Sequence, residues 1–120
     1  MSPFRISVCA IVAALLPLAA AEASDATVAV VQARMAADAA DEHLVDARRA
    51  LWVRLTPAQK SAFAQRERAW LNGGRAEDQQ RCVDAAIAPT SLVVEQCRLK
   101  VAEQHRAGLS LPVVQASARR

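Results

Sequence analysis

Residues 82–97 read Cys82-Val83-Asp84-Ala85-Ala86-Ile87-Ala88-Pro89-Thr90-Ser91-Leu92-Val93-Val94-Glu95-Gln96-Cys97. Pro89 and Thr90 stand at the centre of this stretch. Cys82 lies seven residues before Pro89, and Cys97 lies seven residues after Thr90. Proline has no backbone N–H to donate and clashes with the preceding turn, so Pro89-Thr90-Ser91 marks a turn. Arg75–Ala88 reads as a helix, with Glu77 and Asp78 near its start, where the helix dipole favours negative charge. Ser91 can cap a last helix running to about Ala107, with Leu92, Leu99, Ala102 and Leu109 on one side and Gly108 ending it. In an antiparallel helical hairpin, residues equidistant from the turn face each other. The spacing therefore predicts two helical arms pinned together by a Cys82–Cys97 disulfide.

Upstream, Thr56-Pro57-Ala58-Gln59 is a helix start. Thr56 caps, Pro57 takes the first helical position and Gln59 completes a capping box. That helix runs to about Leu71, with Phe63 and Trp70 seven apart on one face. Asn72-Gly73-Gly74 then interrupts, as a left-handed cap or a short loop. Ala26–Arg54 contains no Gly and no Pro, and Ser24 or Asp25 can cap a first helix there. Val28, Val31 and Met35 step at helical spacing, and Leu44, Leu51 and Leu55 resume it. The alanine-rich middle, Ala36–Ala40, admits a close helix neighbour or a bend. No useful stretch alternates with period two. The expected fold class is all-α: a small bundle or hairpin of three to four helices with one disulfide.

The first 23 residues have the layout of an address. Arg5 precedes the apolar run Ile6–Ala21, and small residues follow at Ala19, Ala21 and Ala23. That is the order of a secretory signal peptide, with cleavage after Ala23 or Ala21. The run is short for a transmembrane helix, which needs about 20 apolar residues. The expected organisation is a signal peptide at 1–23, a helical domain at 24–109 and a flexible basic tail at 110–120, in a periplasmic or secreted protein. Cys9 leaves with the leader, so Cys82 and Cys97 have only each other, in a compartment where thiols oxidise. Alanine supplies 28 of the apolar residues in a chain of 120, so the core is thin and gains from a staple. Closing a loop of about 15 residues contributes roughly 3 kcal/mol on the chain-entropy account.

Net charge is +3 over the whole chain. Cations alternate with acids in Arg66-Glu67-Arg68, and no basic stripe interleaved with aromatics appears. The charges therefore read as a solvated face, with no nucleic-acid partner expected. There is no phosphate-cradling Gly loop, nucleophile elbow or His-Glu-x-x-His motif. No cofactor and no metal are expected, because neither His43 nor His105 joins the cysteines in a ligand spacing. Asp38, Asp41 and Glu42 share a helix face and are the nearest approach to a paired-carboxylate site. The blander reading is an acidic surface. Trp52 and Trp70 read as core anchors in a chain so poor in large side chains.

Leu55-Thr56-Pro57-Ala58-Gln59-Lys60, then Gln65-Arg66-Glu67-Arg68-Ala69-Trp70-Leu71, then Cys82 and Cys97 with Leu109 beyond, resemble the lysozyme inhibitor LprI-like family of small exported bacterial helical proteins. Arg68, Ala69, Trp70 and Leu71 match that family's Trp motif, whose part is structural, and Glu67 replaces its usual Gln. Asn72-Gly73-Gly74 stands as an insertion. The resemblance implies a non-enzymatic binding protein that occludes the cleft of a lysozyme-like glycosidase. Asn72, Gly73, Gly74 and Arg75 would form the loop that enters it, with Arg75 meeting a catalytic carboxylate. The expected partners are a lysozyme or another envelope protein, with no stable membrane span after leader removal. The alternatives are an envelope structural or adaptor protein without lysozyme activity, and an envelope enzyme using Asp38, Asp41 and Glu42.

Overall fold

The computed structural model describes residues 4–110, and of residues 4–24 the backbone alone. Among the described residues there are four α-helices and no strand. They are α1 (Phe4–Trp52), α2 (Pro57–Ala69), α3 (Arg75–Asp84) and α4 (Ser91–Ala107), with a π-helical turn at Trp70–Gly74 between α2 and α3. Backbone angles stay helical through Ala69, Trp70, Gly74 and Arg75, so α2, the π-turn and α3 form one bent arm. The molecule is thus a three-armed bundle. The middle arm runs back along α1, and α4 runs parallel to α1, as the pairs Arg34–Glu95 and Asp38–Arg98 show.

Local chemistry accounts for the boundaries. Thr56 Oγ1 accepts from the Gln59 N–H at 3.3 Å, and Gln59 Oε1 accepts from the Thr56 N–H at 2.9 Å, so the expected capping box forms in full. The last helix is capped by Thr90 rather than Ser91. Thr90 has the extended backbone of a cap and accepts from the Val93 N–H, while Ser91 is already helical. α3 ends at Asp84, short of the expected Ala88, because the Ala86 N–H bonds back to the Val83 carbonyl and tightens the last turn. The first helix needs neither Ser24 nor Asp25 as a cap. Both lie inside α1, which begins at Phe4 and passes through an alanine-rich stretch of high helix propensity.

α1 and α4 pack most extensively. Ala37, Ala40 and Leu44 are buried on the first, and Cys97, Val101 and Ala102 on the second. Alanines at such a seam let two backbones approach closely, so Ala36–Ala40 admits a neighbour and does not break the helix. Leu51, Leu55 and Phe63 form a second apolar cluster against which Leu109 packs. Cys82 and Cys97 are bonded to each other across the α3–α4 hairpin, with Cα atoms 5.7 Å apart. That separation lies in the ordinary range for a bridge.

Val28, Val31 and Met35 are exposed. Two expectations need correction. Trp52 is 39% exposed and Trp70 is half-buried, so neither is a core anchor. Asn72-Gly73-Gly74 is neither a left-handed cap nor a loop. No glycine has positive φ, and the segment continues the helix with one wider turn. The expected tail falls almost wholly outside the described residues. Among those residues, no helix is long and apolar enough to cross a membrane.

Candidate functional site

Phe63, Glu67 and Trp70 stand four and three apart on the middle arm, and therefore on one face of it. That face turns toward both other arms. Glu67 is 92% removed from solvent, being only 8% exposed. Its carboxylate accepts from Arg48 Nε of α1 at 2.6 Å and meets His105 Nε2 of α4 at 2.8 and 3.0 Å. One buried acid thus ties all three arms together. Burial pushes the Glu67 carboxyl up. Hydrogen bonds from His105 and Arg48, with their charges, more than offset that and hold it below the usual carboxylate range. A second nitrogen of the same guanidinium, Arg48 Nη2, is buried and has no hydrogen-bond partner among the described residues.

Trp70 builds the next layer. Its indole stacks on the His105 ring, with centroids 3.6 Å apart and planes within 9°. Its Nε1–H donates to Asp78 Oδ2 at 3.1 Å, and Asp78 also accepts from Arg81. The guanidinium carbons of Arg48 and Arg75 lie 5.6 and 5.8 Å from the Trp70 ring centroid, within cation–π range. Gly74 serves a close approach here, not an unusual backbone. A Cβ at that position would stand 3.1 Å from Trp70 Cδ1, whereas one at Gly73 would meet nothing within 4 Å. The π-turn is therefore the place where the arm widens to seat an indole against its own backbone. Single π-turns inside α-helices recur at functional sites.

Of the residues expected to enter a partner's cleft, Asn72 is exposed and Gly73, Gly74 and Arg75 are half-buried, all within helix or π-turn. They form a rigid bend beside Trp70, not a flexible loop. Of the four motif residues expected to be structural, Trp70 alone packs. Arg68, Ala69 and Leu71 are exposed.

The acidic cluster has another employment. Arg98 of α4 donates to Asp38 at 3.0 Å, to Asp41 at 2.9 Å and to Glu95 on its own helix at 2.7 Å, and Arg34 reaches Glu95 at 3.4 Å. The hydrogen bond to Asp38, reinforced by Glu95 and Asp41 against the cost of burial, pushes the Arg98 guanidinium further above its usual range. Asp38 and Asp41 thus clamp α1 to α4, and Glu42 is exposed nearby. The charges are not simply a solvated face. A groove of about 290 Å³ between α1 and α4 is lined by Ala36, Ala39, Ala40, His43, Leu99 and Glu103, with Arg106, and by none of the three acids. No group of three or more metal-ligating side chains occurs among the described residues.

Sequence reasoning missed Glu67, His105 and Arg98 as structural hubs. The signal for Glu67 was present: it is the only acid between Asp46 and Glu77, and it shares the face of Phe63 and Trp70. Nothing local announces the Arg98 clamp. Its α1 partners lie 57 and 60 residues away. The fold and the cluster define a class, a disulfide-stapled three-armed helical protein with an arginine-flanked tryptophan at a π-turn. Against protein-family models, curated proteins and solved structures, the chain finds no match.

Proposed function

We propose that this chain is an exported, non-enzymatic binding protein that resembles LprI-type lysozyme inhibitors and acts by occluding the cleft of a lysozyme-like glycosidase. Support comes from the π-turn. Arg75 is presented beside a braced Trp70, with Asn72 and Leu71 exposed next to it. A guanidinium of this kind is suited to a carboxylate, and the target cleft keeps two. Rigidity is an advantage, since little conformational entropy remains to be lost on binding. Export draws support from the charged, apolar and small-residue order of residues 1–23 and from the Cys82–Cys97 bridge, which suits an oxidising compartment.

The test is a titration of the oxidised, exported protein against a panel of lysozymes acting on bacterial cell walls. The expected result is loss of lytic rate at micromolar protein, weakened at least tenfold by Arg75→Glu. Undiminished lysis across the panel contradicts the reading. A second reading, an envelope adaptor protein, has one observation in its favour: Val28, Val31 and Met35 lie exposed on α1. It predicts a cross-linked heteromeric partner that disappears with Met35→Glu.

A further inference from the structure

Charge is segregated along the described part of the molecule. Residues 47–76 carry seven Lys or Arg and a single acid, Glu67, which is buried and already paired. Residues 25–46 carry five acids and one Arg. The even interleaving expected from the sequence fails here, and the cations Arg49, Arg54 and Lys60 stand on and beside the turn between α1 and α2. Among the described residues, no ion pair engages Arg49, Arg54, Lys60, Arg66 or Arg68.

The turn between α1 and α2 is itself apolar. Val53 is 74% exposed and Trp52 beside it 39%. The turn is firm. The Arg54 N–H bonds to the Leu51 carbonyl at 2.9 Å, and the Leu55 N–H to the Trp52 carbonyl at 3.2 Å. Below it, Leu51, Leu55 and Phe63 anchor the helices, with the Trp52 and Phe63 rings 6.3 Å apart. Lys60 Nζ sits 5.4 Å from the Trp52 ring centroid. Two exposed hydrophobes therefore project from a braced hairpin end within a collar of cations.

We propose that this pole docks on an anionic phospholipid surface. Trp52 and Val53 enter the boundary between headgroups and acyl chains, and Arg49, Arg54 and Lys60 meet the phosphates. Tryptophan suits that depth because its ring is apolar and its N–H polar. Unpaired cations near an anionic leaflet each strengthen adsorption, and the effect weakens as salt screens it. A bilayer is favoured over a protein partner by shape. A projecting tip needs no fitted counterpart to enter lipid, whereas a specific protein contact needs about 800 Å² of complementary surface on each side. The contact is interfacial and does not span the membrane.

The test is co-sedimentation of the isolated protein with phosphatidylcholine vesicles, with and without phosphatidylglycerol, read together with quenching of Trp fluorescence by brominated lipid. Far-UV circular dichroism of each variant checks the fold. Binding to the anionic vesicles is expected to be at least tenfold tighter and to fall with salt. Arg49→Glu, Arg54→Glu and Lys60→Glu together should weaken it on the order of a hundredfold. Val53→Asp should weaken it too, and Trp52→Phe should remove most of the quenching. Three results overturn the proposal. The first is equal binding to neutral vesicles. The second is anionic binding indifferent to the charge reversals. The third is capture by soluble polyglutamate with no bromolipid quenching, which assigns the pole to an acidic protein or polymer. The lytic titration is independent of all three.

Discussion

Glu67 is the residue on which the three arms converge, and its energetics follow from where it sits. Replacing it with Gln keeps the shape but leaves Arg48 buried without its counter-charge. Breaking a buried pair costs more than the pair was worth, because one charge remains without compensation. Arg48 and Glu67 side chains retain 18% and 11% of their exposure, so water still reaches them and moderates the loss. Glu67→Gln should cost about 2 kcal/mol at pH 7 by urea unfolding. The pH dependence has a definite sign. The carboxyl is held below its usual range in the folded state, so its stabilisation is complete above about pH 5. It is lost as the pH falls through the ordinary carboxylate range to the lowered folded value. The two proteins should therefore converge in stability toward pH 3. A gap that stays constant from pH 7 to pH 3 would show that the charge of Glu67 contributes nothing.

At the scale of elements, the middle arm holds both the most legible and the least legible features. The start of α2 was legible because Thr56, Pro57 and Gln59 act within one turn, and the capping box needs no tertiary information. The α3–α4 hairpin was legible because the Pro89–Thr90 turn fixes which residues face each other. The π-turn was not. Asn-Gly-Gly announces a break when read by propensity, since glycine is a poor helix former and a good left-handed cap. What overrides propensity is Trp70, which stacks on His105 and crowds the place a Cβ at position 74 would take. The two glycines consequently differ. Gly73→Ala adds a methyl to open space on a helical backbone and should stabilise the protein by up to about 1 kcal/mol. Gly74→Ala should forfeit that gain, since the indole must shift, and Trp70 emission should change with it. Thermal unfolding and fluorescence of the pair check this. Equal stabilisation by both substitutions would mean that the indole is not seated against Gly74.

For the molecule as a whole, composition anticipated the class and little of the interior. A thin alanine core, one staple and helical arms follow from counts and spacing. The cross-arm clamps do not, because Arg98–Asp38, Arg48–Glu67 and Glu67–His105 join residues 60, 19 and 38 positions apart. Periodicity says which face of a helix is buried; it does not say which distant charge will meet that face. The even scatter of charge was likewise an average. Local alternation such as Arg66-Glu67-Arg68 hides the fact that Glu67 turns inward while its neighbours stay outside. The same inward turn leaves the pole around Arg49, Arg54 and Lys60 without an exposed acid of its own segment.

The proposed export into an oxidising compartment underlies the functional reading, and mass analysis of protein isolated from its native source addresses it directly. The predicted result is a chain beginning at Ser24 or Glu22 that yields a Cys82–Cys97 linked peptide without reduction. A chain that retains residues 1–23 and takes up alkylating reagent at both Cys82 and Cys97 would contradict it.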